Sequence, residues 1–247
     1  MAEKKQIEWV NIAKGLAMAM VVVGHISYAL PNEKLFPLST LIVGWHVPIY
    51  FLIAGFFIKE DRLLKPLPFV KGKFHSLYKP LLYYYIPAVL LHNIFLQIGF
   101  YDTITSYSGK YMHTYGAMEM GKEVILAVLF AGREPILGAM WFAYVLFMAL
   151  CGFSIISWGL KKVIKEGQLY EWTRMVTLLV LAIIACDLTN LFGITIPRCN
   201  NTLIAIWLIY CGYKLRNQIG LKFNHKWVAL VSLLVIYHIA PMGGVTR

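Results

Sequence analysis

Runs of apolar residues recur along the whole chain. Six of them, near residues 12–30, 37–58, 80–100, 135–160, 175–194 and 201–217, approach the roughly 20 residues a helix needs to cross hydrocarbon, and a seventh begins at Trp227 and fades at Ala240. Met118 to Ala131 is too short to span and reads as an amphipathic helix packed at the membrane surface. The expected fold class is therefore all-α, a polytopic transmembrane helix bundle of about seven spans. No internal repeat, heptad series or low-complexity linker divides it, so residues 1–247 read as a single integral membrane domain.

Composition agrees. The chain is 59% hydrophobic and 14% charged, against about 45–50% and about 25% in soluble domains. Its net charge of +11 invites a nucleic-acid reading, but the lysines and arginines lie between apolar runs and form neither a stripe nor a reader motif. No nucleic-acid partner is expected. Residues 59–79 carry Lys59, Arg62, Lys65, Lys71, Lys73 and Lys79, residues 161–174 carry Lys161, Lys162, Lys165 and Arg174, and Lys214, Arg216, Lys222 and Lys226 follow the sixth run. Residues 31–36 hold a single lysine, and 101–134 mix three basic with four acidic residues. The positive-inside rule then places the N-terminus in the cytoplasm, and the expected location is multi-pass in the cytoplasmic (inner) membrane. The first run is too long for a cleavable signal, carries Lys14 and His25, and lacks a small-residue cleavage site, so it reads as an anchor. Cys151, Cys186, Cys199 and Cys211 show no disulfide or zinc spacing, and the scattered histidines form no i, i+4 pair. No metal and no permanently bound cofactor is expected.

The first run, "IEWVNIAKGLAMAMVVVGH", holds Asn11, Lys14 and His25. An ionisable group at mid-bilayer costs about 2.5–3.5 kcal/mol even on the lenient insertion scale, so its default reading is functional. Lys14 and His25 are eleven residues apart, roughly 20° in helical angle, with Asn11 about 60° from Lys14 and about 40° from His25. All three share one stripe. Along the axis Lys14 and His25 are separated by about 16 Å, the lysine near the cytoplasmic edge and the histidine deep. Coenzyme A suits that geometry, with phosphates at one end and a thioester on a flexible arm. Lys14 also fits a snorkelling role, and His25 a packing one. A histidine of ordinary pKa, near 6.5, can stay neutral when buried and accept a proton.

These residues resemble the integral membrane acyltransferase family 3, in particular its fucose-acetylase-like branch. "KGLAMAMVVVGH" is similar to the family's first-helix signature of a basic residue, ten residues and a histidine. "HVPIYFLIAGFFIK" resembles its aromatic second helix, "KGKFHSLYKP" the entrance to the third, and "GAMWFAYVLF" a later Trp-Phe helix. The resemblance implies transfer of an acyl group, usually acetyl, from cytoplasmic acyl-CoA (acetyl-CoA above all) to a hydroxyl of a cell-surface saccharide or its lipid-linked precursor. It implies His25 as general base, Lys14 as binder of the donor, and Asn11 beside them where the family often has aspartate. The family often shows two basic residues three apart at the third helix; here Ser76 follows Lys73, with Lys79 a turn later. Family members usually carry further C-terminal spans, so spans appear to be missing after Arg247 relative to that pattern.

Lys73 and Lys79 stand at a cytoplasmic helix entrance where cations meet the phosphates of CoA, although the positive-inside bias alone also predicts basic residues there. Trp141 and Phe142 fit the wall of an acyl pocket or plain packing, and His46 fits receipt of the acceptor or packing. Asp187 fits a sugar-hydroxyl partner or a cation partner. Arg133 and Glu134 read as a local surface pair. Two other classes stay open: a transporter or flippase of a lipid or anionic solute, since buried charges also line transport paths, and an inactive membrane scaffold.

Overall fold

A computed structural model describes residues 8–29, 47–101, 113–130, 134–192 and 198–218; side chains are described for these except 8–10, 23–29, 139, 187–192 and 217–218. The described residues are mostly helical, with no strand among them. That is what hydrocarbon enforces, because a helix satisfies its own backbone N–H and C=O groups where no water can. Two described helices are long and apolar enough to cross a membrane, Trp141–Val163 and Gly167–Cys186. Shorter apolar stretches occupy Asn11–Val22 and Val47–Phe56, while residues 37–46 and 227–240 of the expected spans lie outside the described residues.

The order is α1 (Glu8–Ala29), α2 (Val47–Phe56), α3 (Glu60–Leu63), α4 (Pro66–Lys73), a π-helical turn (Phe74–Tyr78), α5 (Lys79–Leu90), α6 (His92–Gln97), α7 (Ala117–Phe130), a 3-10 turn (Pro135–Met140), α8 (Trp141–Val163), α9 (Gly167–Phe192) and α10 (Cys199–Gln218). The third apolar run differs from its expected single span. Pro87 removes one intrahelical donor inside α5, and the helix ends at Leu90 before α6 begins afresh at His92. The expected surface helix is present as α7, packed on α5. Its last carbonyls, which no helix can satisfy from within, accept the Tyr78 hydroxyl at Val128 and the Tyr144 hydroxyl at Leu129.

α10 is the centre. Every residue from Ala205 to Cys211 is buried, and a helix apolar all round belongs inside. It packs on α8 and α9, and α2 crosses it with the two backbones touching: a Cβ at Gly55 would strike the Ile209 carbonyl, and one at Gly212 the Leu52 carbonyl. Small residues at such a crossing permit close approach where lipid supplies no hydrophobic drive between helices. Ser154 on α8 donates to the Leu63 carbonyl at 2.6 Å and Arg216 on α10 to the Ile58 carbonyl at 3.0 Å. These bonds fix α3 and the end of α2 against the core, and so fix where the basic segment 59–79 stands.

Candidate functional site

Pro66 stands in the first turn of α4 with Lys65 as its N-cap, where a missing N–H costs nothing. The helix carries its basic residues, Lys71 and Lys73, in the last turn, where they complement the dipole. The short α3, α4 and the π-helical turn wrap round the end of α2 and enclose a cleft of about 440 Å³. Lys59, Arg62, Lys65 and Lys73 supply its charge, Phe57 and Phe69 its apolar wall, and Ser76 a hydroxyl; among the described residues the lining has no carboxylate. Lys73 is half-buried. Loss of water pushes its pKa below the ordinary lysine value, Cys151 opposes that shift and the Arg62 charge adds to it. A partly desolvated ammonium beside a second cation is a place where an anion is favoured.

Lys14 on α1 is not in the lining of this cleft but reaches Phe57, one of its walls. Its ammonium lies 6.0 Å from the ring centroid of Phe57, and its backbone carbonyl accepts the Tyr50 hydroxyl at 3.2 Å. Tyr50 in turn touches Phe142, 5.6 Å between centroids, and Phe142 touches Phe51 at 5.0 Å and Trp141 at 6.5 Å. Two of the expected groups are thus linked, Lys14 to the aromatic pair through one tyrosine. Lys73 lines the cleft, whereas Lys79 is exposed with its ammonium 5.8 Å over the Tyr83 ring and does not line it. Asn11 is exposed on α1. His25 and Asp187 stand on α1 and α9 with side chains outside the described set, and His46 lies outside the described residues.

Three features had no counterpart in the expectations. Lys59, Arg62 and Lys65, counted only as orientation bias, share the cleft with Lys73. Arg174, expected in a basic loop, lies on α9, which begins at Gly167, and is 0% exposed. Its Nη1 donates to both Glu60 oxygens at 3.1 and 3.2 Å and its Nη2 to Glu171 at 2.6 Å, and Tyr170 and Tyr213 rings sit 4.7 and 5.0 Å from its guanidinium carbon. Lys214 adds a second cation on Glu171.

The third feature joins residues that read as unrelated. Glu134 is buried and pairs with His92, which is 0% exposed, at 3.0 Å through Nδ1. Glu134 is thus buried where a surface pair was expected, and its expected partner Arg133 lies outside the described residues. His92 Nε2 donates to the His113 carbonyl at 3.0 Å, since a carbonyl only accepts. The Tyr101 hydroxyl donates to the same Glu134 oxygen, also at 3.0 Å. Burial raises the Tyr101 pKa, and the Glu134 charge adds to the rise. Tyr115 stacks on the imidazole at 3.7 Å. With both nitrogens engaged and one face covered, His92 is built to hold a loop in place. Nothing in the sequence links these positions, 42 residues apart.

A family profile described as an acyltransferase domain matches residues 7–245 of the chain. Comparison with curated proteins and with solved structures returns no match.

Proposed function

The chain belongs to this acyltransferase family, and on that premise we propose that it is a membrane O-acyltransferase that moves an acyl group, acetyl foremost, from acyl-CoA to a hydroxyl of a cell-surface saccharide or its lipid-linked precursor. The observation that carries the reading is the cleft: among the described residues, four cations, a hydroxyl and no carboxylate around a space of about 440 Å³, with Lys14 reaching the far side of its Phe57 wall. Several fixed cations suit a ligand with several phosphates, because charge-assisted hydrogen bonds are about twice as strong as neutral ones. Lys73, Arg62 and Lys14 hold the donor's phosphates in this proposal, and its acyl arm runs along α1 towards His25, about 16 Å further on by helical rise. The membrane orientation that goes with it puts the cleft in the cytoplasm.

The chemistry is an acyl exchange in balance. The acceptor oxygen adds to the thioester carbonyl while the imidazole of His25 takes the hydroxyl proton. The tetrahedral adduct then expels the CoA thiolate, which receives that proton, and the C–S bond is exchanged for a C–O bond. General-base help of this kind contributes about 10² to 10⁴ in rate. Trp141 and Phe142 wall the acyl chain in this reading, and His46 and Asp187 are candidates for the acceptor side.

The test is the acetyl mass increment on surface glycans of cells that make the wild-type protein, the His25→Ala variant or neither, at matched protein levels. The proposal expects the increment with wild type alone. Normal increments with the variant would remove His25 from the mechanism, and no increment in any arm would remove the glycan acceptor.

A further inference from the structure

Glu60 stands between Lys59 and Arg62, both in the cleft wall, yet its own carboxylate is absent from the lining. It faces the opposite way, into the buried guanidinium of Arg174, and Tyr213 donates a third hydrogen bond to it. Around Arg174 the charges close: Arg174 and Lys214 against Glu60 and Glu171. Around the cleft, among the described residues, they do not. Arginine is suited to this task, since its planar fork serves two carboxylates at once and it never deprotonates. The aromatic rings around it replace part of the water it gives up.

Resting on the reading of the cleft as the donor-phosphate site, we infer that Arg174 is a positioning residue which holds the Glu60 carboxylate out of the cleft, so that the cations there meet an incoming polyanion uncompensated. Without Arg174, the nearest cations to Glu60 along the chain are Lys59 and Arg62 themselves. The carboxylate would then compete with the ligand for them, and one competing charge at close range near a surface is enough to weaken an anion about tenfold.

The experiment is titration of the full chain in detergent micelles with CoA and, separately, with inorganic tripolyphosphate, for wild type, Arg174→Met, Arg174→Lys and the double variant Arg174→Met with Glu60→Gln. The expected result is about tenfold weaker binding of both probes by Arg174→Met, most of it regained by Arg174→Lys, and recovery to about twofold of wild type in the double variant. Rescue by removing Glu60 is what a merely structural arginine would not give. Equal weakening in the single and double variants, or no weakening in either, overturns the inference. Should Arg174→Met fail to accumulate, Glu60→Gln alone decides: affinity within about twofold of wild type supports the inference, and a tightening of about tenfold would mean that the carboxylate already faces the cleft and overturns it. Binding of tripolyphosphate but not CoA by wild type would remove the donor reading while the variant series on tripolyphosphate still judges Arg174. Binding of neither would remove both.

Discussion

Two groups of cations lie side by side at one end of the molecule, joined through α3, and differ in what faces them. Arg174 and Lys214 meet two carboxylates, and aromatic rings cover the arginine. Lys59, Arg62, Lys65 and Lys73 meet an open space with no acid among the described residues of its wall. The first group is a closed knot between α3, α9 and α10; the second leaves its charge available. A chain that spends acids on one group and withholds them from its neighbour separates holding the fold from receiving a ligand.

The difference breaks most visibly on stability. Removing the buried arginine takes several charge-assisted hydrogen bonds from Glu60 and Glu171, which are each 35% exposed and so partly rehydrate, at a cost of about 1–3 kcal/mol. Arg174→Ala is therefore expected to lower the thermal unfolding midpoint sharply, while Lys65→Ala, exposed at the cleft edge, stays within about 0.5 kcal/mol of wild type. Equal losses would erase the distinction. On binding the order reverses: Arg62→Gln with Lys73→Gln is expected to weaken CoA about a hundredfold, two charge-assisted contacts being lost, with the unfolding midpoint little changed.

Ionic strength sharpens the contrast by a smaller amount. Going from about 0.01 to 0.15 M shortens the screening length from about 30 to 8 Å, so CoA affinity for the wild-type cleft is expected to fall several-fold. The stability gap between wild type and Arg174→Ala should hardly move, because buried pairs are screened much less. A gap that closes with salt would show the knot to be wet.

The smallest effect concerns pH. The Lys73 pKa lies below its ordinary value because burial disfavours the charged form and Arg62 repels it. The charged form binds the anion, so affinity is lost as pH rises through that lowered pKa, earlier than an ordinary lysine would lose it. In the same window a bound anion draws a proton back, and binding takes up protons. Lys73→Met is expected to flatten the alkaline side of the affinity profile; an unchanged profile would assign the titration to another group.

How much of this could be read from residues alone differs between the same two regions. The basic segment 59–79 is plain in the sequence and Lys73 stands out at a helix entrance, but a lysine that fixes orientation and a lysine that lines a cleft look alike until α3 and α4 fold round α2. Arg174 was harder. A basic residue beside an apolar run reads as a loop cation, and its carboxylate partner Glu60 is 114 residues away, beyond any periodicity. The long apolar runs gave α8, α9 and α10 because length and hydropathy are local properties, and the break at Leu91 follows Pro87, also a local feature, whereas the contact of Gly55 with α10 depends on neighbours that spacing cannot supply. His25, His46 and Asp187 keep their standing from the sequence alone.

The central claim is that the cationic cleft receives the donor. A photoreactive acyl-CoA analogue bound to the intact protein and mapped by peptide mass spectrometry tests it most directly. Labelling confined to residues 57–76 and to the Lys14 face of α1, and abolished by excess acetyl-CoA, is the predicted result. Labelling elsewhere, or labelling of that segment which acetyl-CoA does not displace, would contradict it.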